Sequence, residues 1–221
     1  MMALDAFSMT ECVQPFLAHC HRRHYAPKTA IIRQGDRADE LFYIISGSVT
    51  VLLEDDKGHE IVLAYLNGGD FFGEIGLFAE DGNRSALVRA RAESEIAQIS
   101  YAKLRGLTEL YPRIVNCMAV QLARRLRNTN RKLGDLAFMD VYGRVARTLL
   151  DLSDQPDAMT HPHGMQVRVT RQELARLVGC SREMVGKVLK EMEEHKQVGV
   201  AGKNIVLIGI RGRGVRRLAM V

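Results

Sequence analysis

Residues 112–138, PRIVNCMAVQLARRLRNTNRKLGDLAF, hold one helical pattern without a Gly or Pro strong enough to break it, and this stretch limits what the chain can fold into. Pro112 suits the first turn of a helix, where its missing N–H is no loss. Val115, Met118, Leu122, Leu126, Thr129, Leu133 and Leu136 follow at separations of 3, 4, 4, 3, 4 and 3 residues, close to a coiled-coil seam. A helix this long with so narrow a stripe calls for a partner helix, hence a dimer. Packing of the stripe on the chain's own strands is the alternative.

The period before Pro112 is different. After an amphipathic start at 10–21, segments such as TAIIRQGD, LFYIISGSVTVLLEDDKG, HEIVLAYLNGGD, SALVRARAE and SEIAQISY are rich in Val, Ile, Leu or Tyr and end in Gly, Asp or Asn. Turn signals about every ten residues predict an antiparallel sandwich or jelly roll, with corners at Gly35, Gly47, Gly58, Gly68 and Gly69. With 221 residues, 47% of them hydrophobic, the chain has material for two domains.

After the long helix the spacing predicts a hinge at 140–143, a helix over RVARTLLDLSD, a polar loop QPDAMTHPHGMQ and a short strand VRV. TRQELARLVGCSREMVGKVLKEME then gives two short helices. Thr170 with Glu173 is a capping box, Leu174, Leu177 and Val178 form the inner face, Gly179 makes the turn, and Ser181 caps the second helix. In that helix Val185, Val188, Leu189 and Met192 face inward, leaving Arg182, Glu183, Gly186, Lys187 and Lys190 outside. QVGVAGKNIVLIG reads as a β-hairpin, which completes a winged helix-turn-helix. Arg forks onto guanine and Glu accepts from cytosine, so Arg182 and Glu183 in the first turn suit base edges, with Arg171, Gln172 and Ser181 near phosphates. Charge agrees with this placement. Residues 1–140 carry 17 Lys+Arg against 18 Asp+Glu, whereas 141–221 carry 14 against 8. A solvated basic face would give the same excess, so charge alone decides nothing.

A second constellation is FFGEIGLFAEDGNRSALVRA, residues 71–90. Gly73-Glu74-Ile75-Gly76 reads as one helical turn with free N–H groups for an anion, and Arg84 and Ser85 arrive on the next strand. A phosphate would pair Arg84 while Glu74 accepts from a ribose hydroxyl. An internal Glu74–Arg84 salt bridge accounts for the same residues without a ligand. No stretch has the roughly 20 apolar residues of a membrane span, so a cytoplasmic protein with no membrane partner is expected. Cys12, Cys20, Cys117 and Cys180 show no C-x-x-C and suggest neither zinc nor disulfides. His19-x-His21-x-x-His24 reads as surface residues, and no metal site is expected. A metal-dependent jelly-roll enzyme would need His and carboxylate ligands on barrel strands, where only His59 falls between residues 25 and 160.

GSVTVLLEDDKGHEIVLAYLN, GDFFGEIGLF, RSALVRA, ARRLRNTNRKLGDLAF, GRVARTLLDL, QPDAMTHPHGMQ and RQELARLVGCSREMVGKVL, in this order, resemble the bacterial cyclic-AMP receptor protein (catabolite activator) family of transcription regulators. The resemblance spans about residues 16–209. The N-terminal cysteine cluster of the family's iron–sulfur branch is absent, and no haem ligand of its carbon-monoxide branch is assignable. It implies an α+β fold without enzyme activity: a cyclic-nucleotide-binding β jelly roll (1–111), a long dimerisation helix (112–139), a hinge (140–143), a winged helix-turn-helix domain (144–210) and a basic tail (211–221). It further implies a homodimer that binds cyclic AMP, then a palindromic TGTGA-like operator in double-stranded DNA, and contacts RNA polymerase. Gly73 and Glu74 would hold ribose and cyclic phosphate, and Arg84 and Ser85 the phosphate. Val51, Leu63 and Leu66 would wall the purine, with Arg125, Leu126 and Thr129 arriving from the long helix and Thr129 beside the adenine amino group. Arg182, Glu183 and Lys187 would read the major groove. Residues 158–166, including Ala158, Met159, Thr160, His161, Pro162, His163 and Gly164, match a polymerase-contacting surface, and His19, His21 and Lys103 match a second.

The sequence departs from the family pattern in places. Asn130 stands where the dimer partner usually offers Ser or Thr to the base, and Ala64 replaces a pocket Ser. Some similar relatives respond to cyclic di-GMP, which makes that ligand, or activity without ligand, the alternative. Lys187 replaces an Arg, turning a fork into a point charge. Tyr142 replaces a hinge Thr and His163 an acidic loop residue. RGRGVRRLAMV adds four Arg, expected to give DNA affinity that salt removes.

Overall fold

The computed structural model describes residues 9–78 and 82–211, with side chains from Val13 onward, and divides the chain into two compact units at Thr129/Asn130. In the first unit come α1 (Met9–Ala18), β1 (His21–Tyr25), β2 (Ala30–Ile32), β3 (Glu40–Ser46), β4 (Ser48–Glu54), β5 (Glu60–Asn67), β6 (Phe71–Phe72), the short α2 (Ile75–Phe78), β7 (Leu87–Ala90), β8 (Ser94–Ser100), α3 (Tyr101–Leu110) and the long α4 (Arg113–Phe138). The strands make two antiparallel four-stranded sheets, β1-β8-β3-β6 and β2-β7-β4-β5. The predicted run 41–58 is thus two strands, broken at Gly47. There φ is +87°, and an added Cβ would lie 2.3 Å from the Glu93 carbonyl oxygen, so only glycine fits the corner.

Alternation of apolar side chains fills the space between the sheets with Phe42, Ile44, Val49, Leu66, Phe72, Val88 and Ile96, and Phe42 stacks on Phe72 at 4.9 Å. A second cluster under sheet β1-β8-β3-β6 joins Phe16, Leu41, Phe71, Ile99, Tyr101 and Leu104 to Ile114, Cys117 and Met118 of α4. This answers part of the question set by the apolar stripe. Met118 packs on the chain's own domain, while Val115, Leu126, Leu133 and Leu136 stay 40–65% exposed on the adjoining face of α4. So much exposed Leu along one helix face is the pattern of a surface awaiting a partner.

The second unit carries the rest of α4, then α5 (Val141–Ser153), β9 (Met159–His161), β10 (Gly164–Arg168), α6 (Arg171–Val178), α7 (Arg182–Glu194), β11 (Val198–Ala201) and β12 (Asn204–Ile208), with sheet order β11-β12-β10-β9. Two segments differ from the sequence reading. The polar loop 155–166 contains a hairpin, because β9 pairs with β10 through Thr160–Met165 and Met159–Gln166. Its strand residues are polar or exposed because β9 is the sheet edge. The hinge is also shorter. Only Met139 and Asp140 lie outside helices, since the Asp140 carboxylate caps the next helix by accepting from the Gly143 N–H at 2.8 Å. Crossed ion pairs, Arg131–Asp151 at 2.8 Å and Arg147–Asp135 at 2.6 Å, tie α5 to the last turns of α4. Residues 212–221, which hold most of the basic tail, lie outside the described residues. No described helix is long and apolar enough to cross a membrane.

Candidate functional site

Gly73 ends β6 with φ +79°, and a Cβ there would meet Arg84 Nη1 at 2.8 Å and the Glu40 carbonyl oxygen at 3.2 Å. The backbone therefore passes directly against a guanidinium. Arg84 is 8% exposed, and its acceptors among the described residues are all neutral. Nη1 donates to the Gly73 carbonyl and the Tyr101 hydroxyl, both at 3.1 Å, and Nη2 donates to the Glu40 carbonyl at 2.9 Å. No ion pair to Arg84 occurs among the described residues. A buried cation without a counter-ion is costly, and it fits a site that receives an anion. Two of the five N–H groups of Arg84 are taken by no described residue.

Glu74 is not the partner of Arg84. Its carboxylate, 6% exposed, pairs with Arg125 of α4 at 2.7 Å, so the internal Glu74–Arg84 bridge gives way to a Glu74–Arg125 one. Arg125 also donates to the Phe71 carbonyl. One turn earlier, the Gln121 amide accepts from the Phe71 N–H at 2.9 Å and donates to the Gly69 carbonyl at 2.8 Å, and Arg124 pairs with Asp70 at 2.7 Å. Three side chains on two successive turns of α4 thus grip the segment from Gly69 to Glu74. The helical turn expected at Gly73–Gly76 starts two residues later, at Ile75, because the left-handed Gly73 cannot be its first residue.

The apolar wall is shaped by a bulge. Register shifts between Val51 and Leu52; along β5 Val62 and Leu66 are buried, Ala64 is half-buried and Leu63 is 40% exposed. Val51 and Ala64 pack against the cluster that includes Leu66. Ser85 is exposed beside Arg84, and Leu126, Thr129 and Asn130 are exposed along α4, Asn130 as the first residue of the second unit. The residues that sequence reasoning missed are Tyr101, Gln121, Arg124 and Asp70. An aromatic opening a helix and polar residues in a long helix carry no local mark of such contacts.

On the second unit the caps are those expected. Thr170 Oγ1 accepts from the Glu173 N–H at 3.1 Å, Gly179 ends α6 at φ +72°, and Ser181 Oγ accepts from the Met184 N–H at 3.2 Å. Leu174, Ala175 and Val178 of α6 and Val185, Val188, Leu189 and Met192 of α7 are buried, with Leu177 half-buried. Arg182, Glu183 and Lys187 stand exposed on α7, Arg171 and Gln172 on the first turn of α6. Arg171, Arg182, Glu183, Gly186, Lys190 and Glu193 line a shallow depression of about 530 Å³. The Glu183 carboxyl is held below its ordinary range first by its own backbone N–H and next by the Ser181 hydroxyl, so it is an ionised acceptor. Such a face offers Arg and Lys donors and one carboxylate acceptor, the set that reads base edges and phosphates.

The remaining expected contact residues fall on separate surfaces. Ala158 to Gly164 form the β9–β10 hairpin, with Pro162 and His163 exposed at its turn and the His161 and His163 rings 5.6 Å apart. His19 and His21 lie exposed before and in β1, and Lys103 is exposed in the first turn of α3. No three His, Cys, Asp or Glu side chains gather for a metal among the described residues.

Comparison with known proteins agrees with this geometry. Residues 22–111 match the cyclic nucleotide-binding domain model, and residues 143–211 match the Crp-like helix-turn-helix domain model. The chain is 57% identical over 214 residues to the cAMP-activated global transcriptional regulator Vfr of Pseudomonas aeruginosa, covering 96% of this chain and 100% of that protein. It is 53% identical over 196 residues to the cAMP-activated global transcriptional regulator CRP of Escherichia coli, covering 89% and 93%. Among solved structures, the c-di-GMP responsive global regulator CLP of Xanthomonas campestris superposes with a TM-score of 0.85 at 48% identity, covering 90% of this chain and 99% of that one. With relatives that regulate transcription over nearly its whole length, the chain belongs to the CRP/FNR family of DNA-binding transcription regulators and not to the jelly-roll enzymes.

Proposed function

We propose that the protein is a cytoplasmic homodimeric transcription factor gated by cyclic AMP. One observation carries the reading. Arg84 is buried on neutral acceptors at Gly73, and the next residue, Glu74, is held by Arg125 of α4. A cyclic phosphate would supply the missing anion at Arg84 and Ser85, while Val51, Leu63, Leu66 and Ala64 offer an apolar wall to a purine. Leu126, Thr129 and Asn130 lie on the exposed α4 face through which two copies would pair. The second oxygen of Glu74 suits a ribose hydroxyl. The nucleotide's contacts with Gly73 and Glu74 bear on α4, and α4 continues to the unit that carries the reading helix. Arg182, Glu183 and Lys187 would then read a palindromic TGTGA-like operator, with Arg171, Gln172 and Ser181 on phosphates. The hairpin from Ala158 to Gly164, and His19, His21 and Lys103, would meet RNA polymerase. The cAMP-activated relatives support this ligand.

A second reading, cyclic di-GMP, is favoured by the 48% identity to a c-di-GMP responsive regulator and by Asn130 and Ala64. Fluorescence anisotropy of a labelled palindromic duplex, titrated with protein at physiological salt, separates the two. Tight binding only with cyclic AMP supports the first. Tight binding without any nucleotide, weakened by cyclic di-GMP, replaces it with the second. Because linkage is reciprocal, operator DNA must also tighten nucleotide binding by the same factor.

A further inference from the structure

Among the described residues Arg84 has three acceptors, two of them backbone carbonyls, Gly73 and Glu40, which no substitution removes. The third is the only side chain among them, the hydroxyl of Tyr101. That hydroxyl is doubly engaged. It accepts from Arg84 Nη1 at 3.1 Å and donates its own proton to the Gly73 carbonyl at 2.5 Å. Burial raises its pKa above the ordinary phenol value, so it stays a neutral O–H able to do both. The ring is 8% exposed, and a Cβ on Gly76 would lie 3.0 Å from the hydroxyl oxygen, so α2 closes over it.

We infer that Tyr101 is a positioning residue of the anion site, fixing the rotation of the Arg84 guanidinium so that its remaining N–H groups meet the phosphate. The inference rests on the reading of Arg84 as the nucleotide's phosphate partner. A guanidinium recognises phosphate as a planar fork, so its rotation about the side chain decides whether one or two N–H groups are presented. Phenylalanine keeps the buried ring and removes both roles of the hydroxyl. Lysine at Arg84 keeps the charge and has no fork to orient.

The test is a double-mutant cycle on the full-length protein, with cyclic AMP binding followed by calorimetry and, for weak variants, by displacement of a fluorescent cyclic AMP analogue. Tyr101→Phe is expected to weaken cyclic AMP binding about tenfold in the wild-type background, the size expected for a lost hydrogen bond to a charged group. In the Arg84→Lys background the same change should alter affinity less than twofold. A merely structural tyrosine would weaken binding equally in both backgrounds, and that result, or no effect in either, overturns the inference. Failure of the wild-type protein to bind cyclic AMP would overturn the nucleotide reading and this inference together, whereas normal wild-type binding with an unaffected Tyr101→Phe variant would overturn this inference alone.

Discussion

Arg125→Met is the sharpest probe of the joint between α4 and the first unit. The change keeps a long side chain but leaves the Glu74 carboxylate, 6% exposed, without its 2.7 Å ion-pair partner. Removing one member of a buried pair costs about 3–5 kcal/mol, because the survivor's charge stays desolvated and uncompensated. Arg125 itself is 21% exposed and its Nε has no partner among the described residues, so the lower end, about 3 kcal/mol, is expected. For a unit of this size that is a fall in melting temperature of roughly 10 °C. The assay is calorimetry of the full-length protein at fixed concentration, so that dimerisation does not move the baseline. Glu74→Gln in the same background removes the stranded charge and should restore all but about 1 kcal/mol, so the coupling is the roughly 2 kcal/mol recovered plus the loss measured for Glu74→Gln alone. A loss below about 1 kcal/mol in Arg125→Met, or single-mutant losses that simply add in the double mutant, refutes the argument.

Three further outcomes are expected. If two copies pair through α4 as proposed, Leu126→Glu combined with Leu133→Glu places charges on the exposed stripe and should convert the proposed dimer to monomer in sedimentation at micromolar concentration while leaving the circular dichroism unchanged; a persistent dimer would remove α4 as the interface. Arg182→Ala should cost about 1–3 kcal/mol on the operator and relax selectivity at one base pair in an affinity panel, whereas Arg171→Ala should weaken all duplexes alike and flatten the salt dependence. Burial pushes the Cys20 thiol up to about 12, and it donates to the Phe16 carbonyl at 3.1 Å, so iodoacetamide at pH 8 should label it at least about a hundredfold more slowly in the folded than in the unfolded chain, by peptide mass spectrometry. Because the folded pKa lies above the unfolded one, the stability this burial accompanies holds below pH 9 and declines as pH rises toward 12.

What the sequence displayed and what it hid divide along a physical line. Features governed by neighbours within four residues were legible: the Thr170 and Ser181 caps, the Gly179 stop and the 3.6-residue period of α4. Features governed by distant partners were not. Glu74 lies 10 residues from Arg84 and 51 from Arg125, and only packing selects the farther cation. Strand β9 was invisible because an edge strand with one paired neighbour needs no apolar alternation, and Pro156, Asp157, Pro162 and Gly164 around it read as loop. The register shift opposite Val51 and Leu52, beside the 40% exposed Leu63, was equally hidden, because bulges have no reliable sequence mark.

The distribution of polar grips along α4 bears on how strong the proposed gating can be. On one side of Thr129, Gln121, Arg124 and Arg125 hold the Gly69–Glu74 segment; on the other, Arg131 and Asp135 hold α5 through Asp151 and Arg147. Between and around them lie the exposed Leu126 and Leu133 of the stripe. A nucleotide that rearranges Gly73 and Glu74 acts on α4 chiefly through Arg125, because Gln121 and Arg124 contact residues upstream of the anion site. It can shift the equilibrium only by the difference in that contact between the two states. Breaking that pair outright costs about 3 kcal/mol, which sets a ceiling of roughly a hundredfold on the nucleotide's effect on operator affinity through this route. Activation much larger than that in the anisotropy titration would require a second path, and the exposed α4 stripe, through which two copies are proposed to pair, is the element placed to provide it.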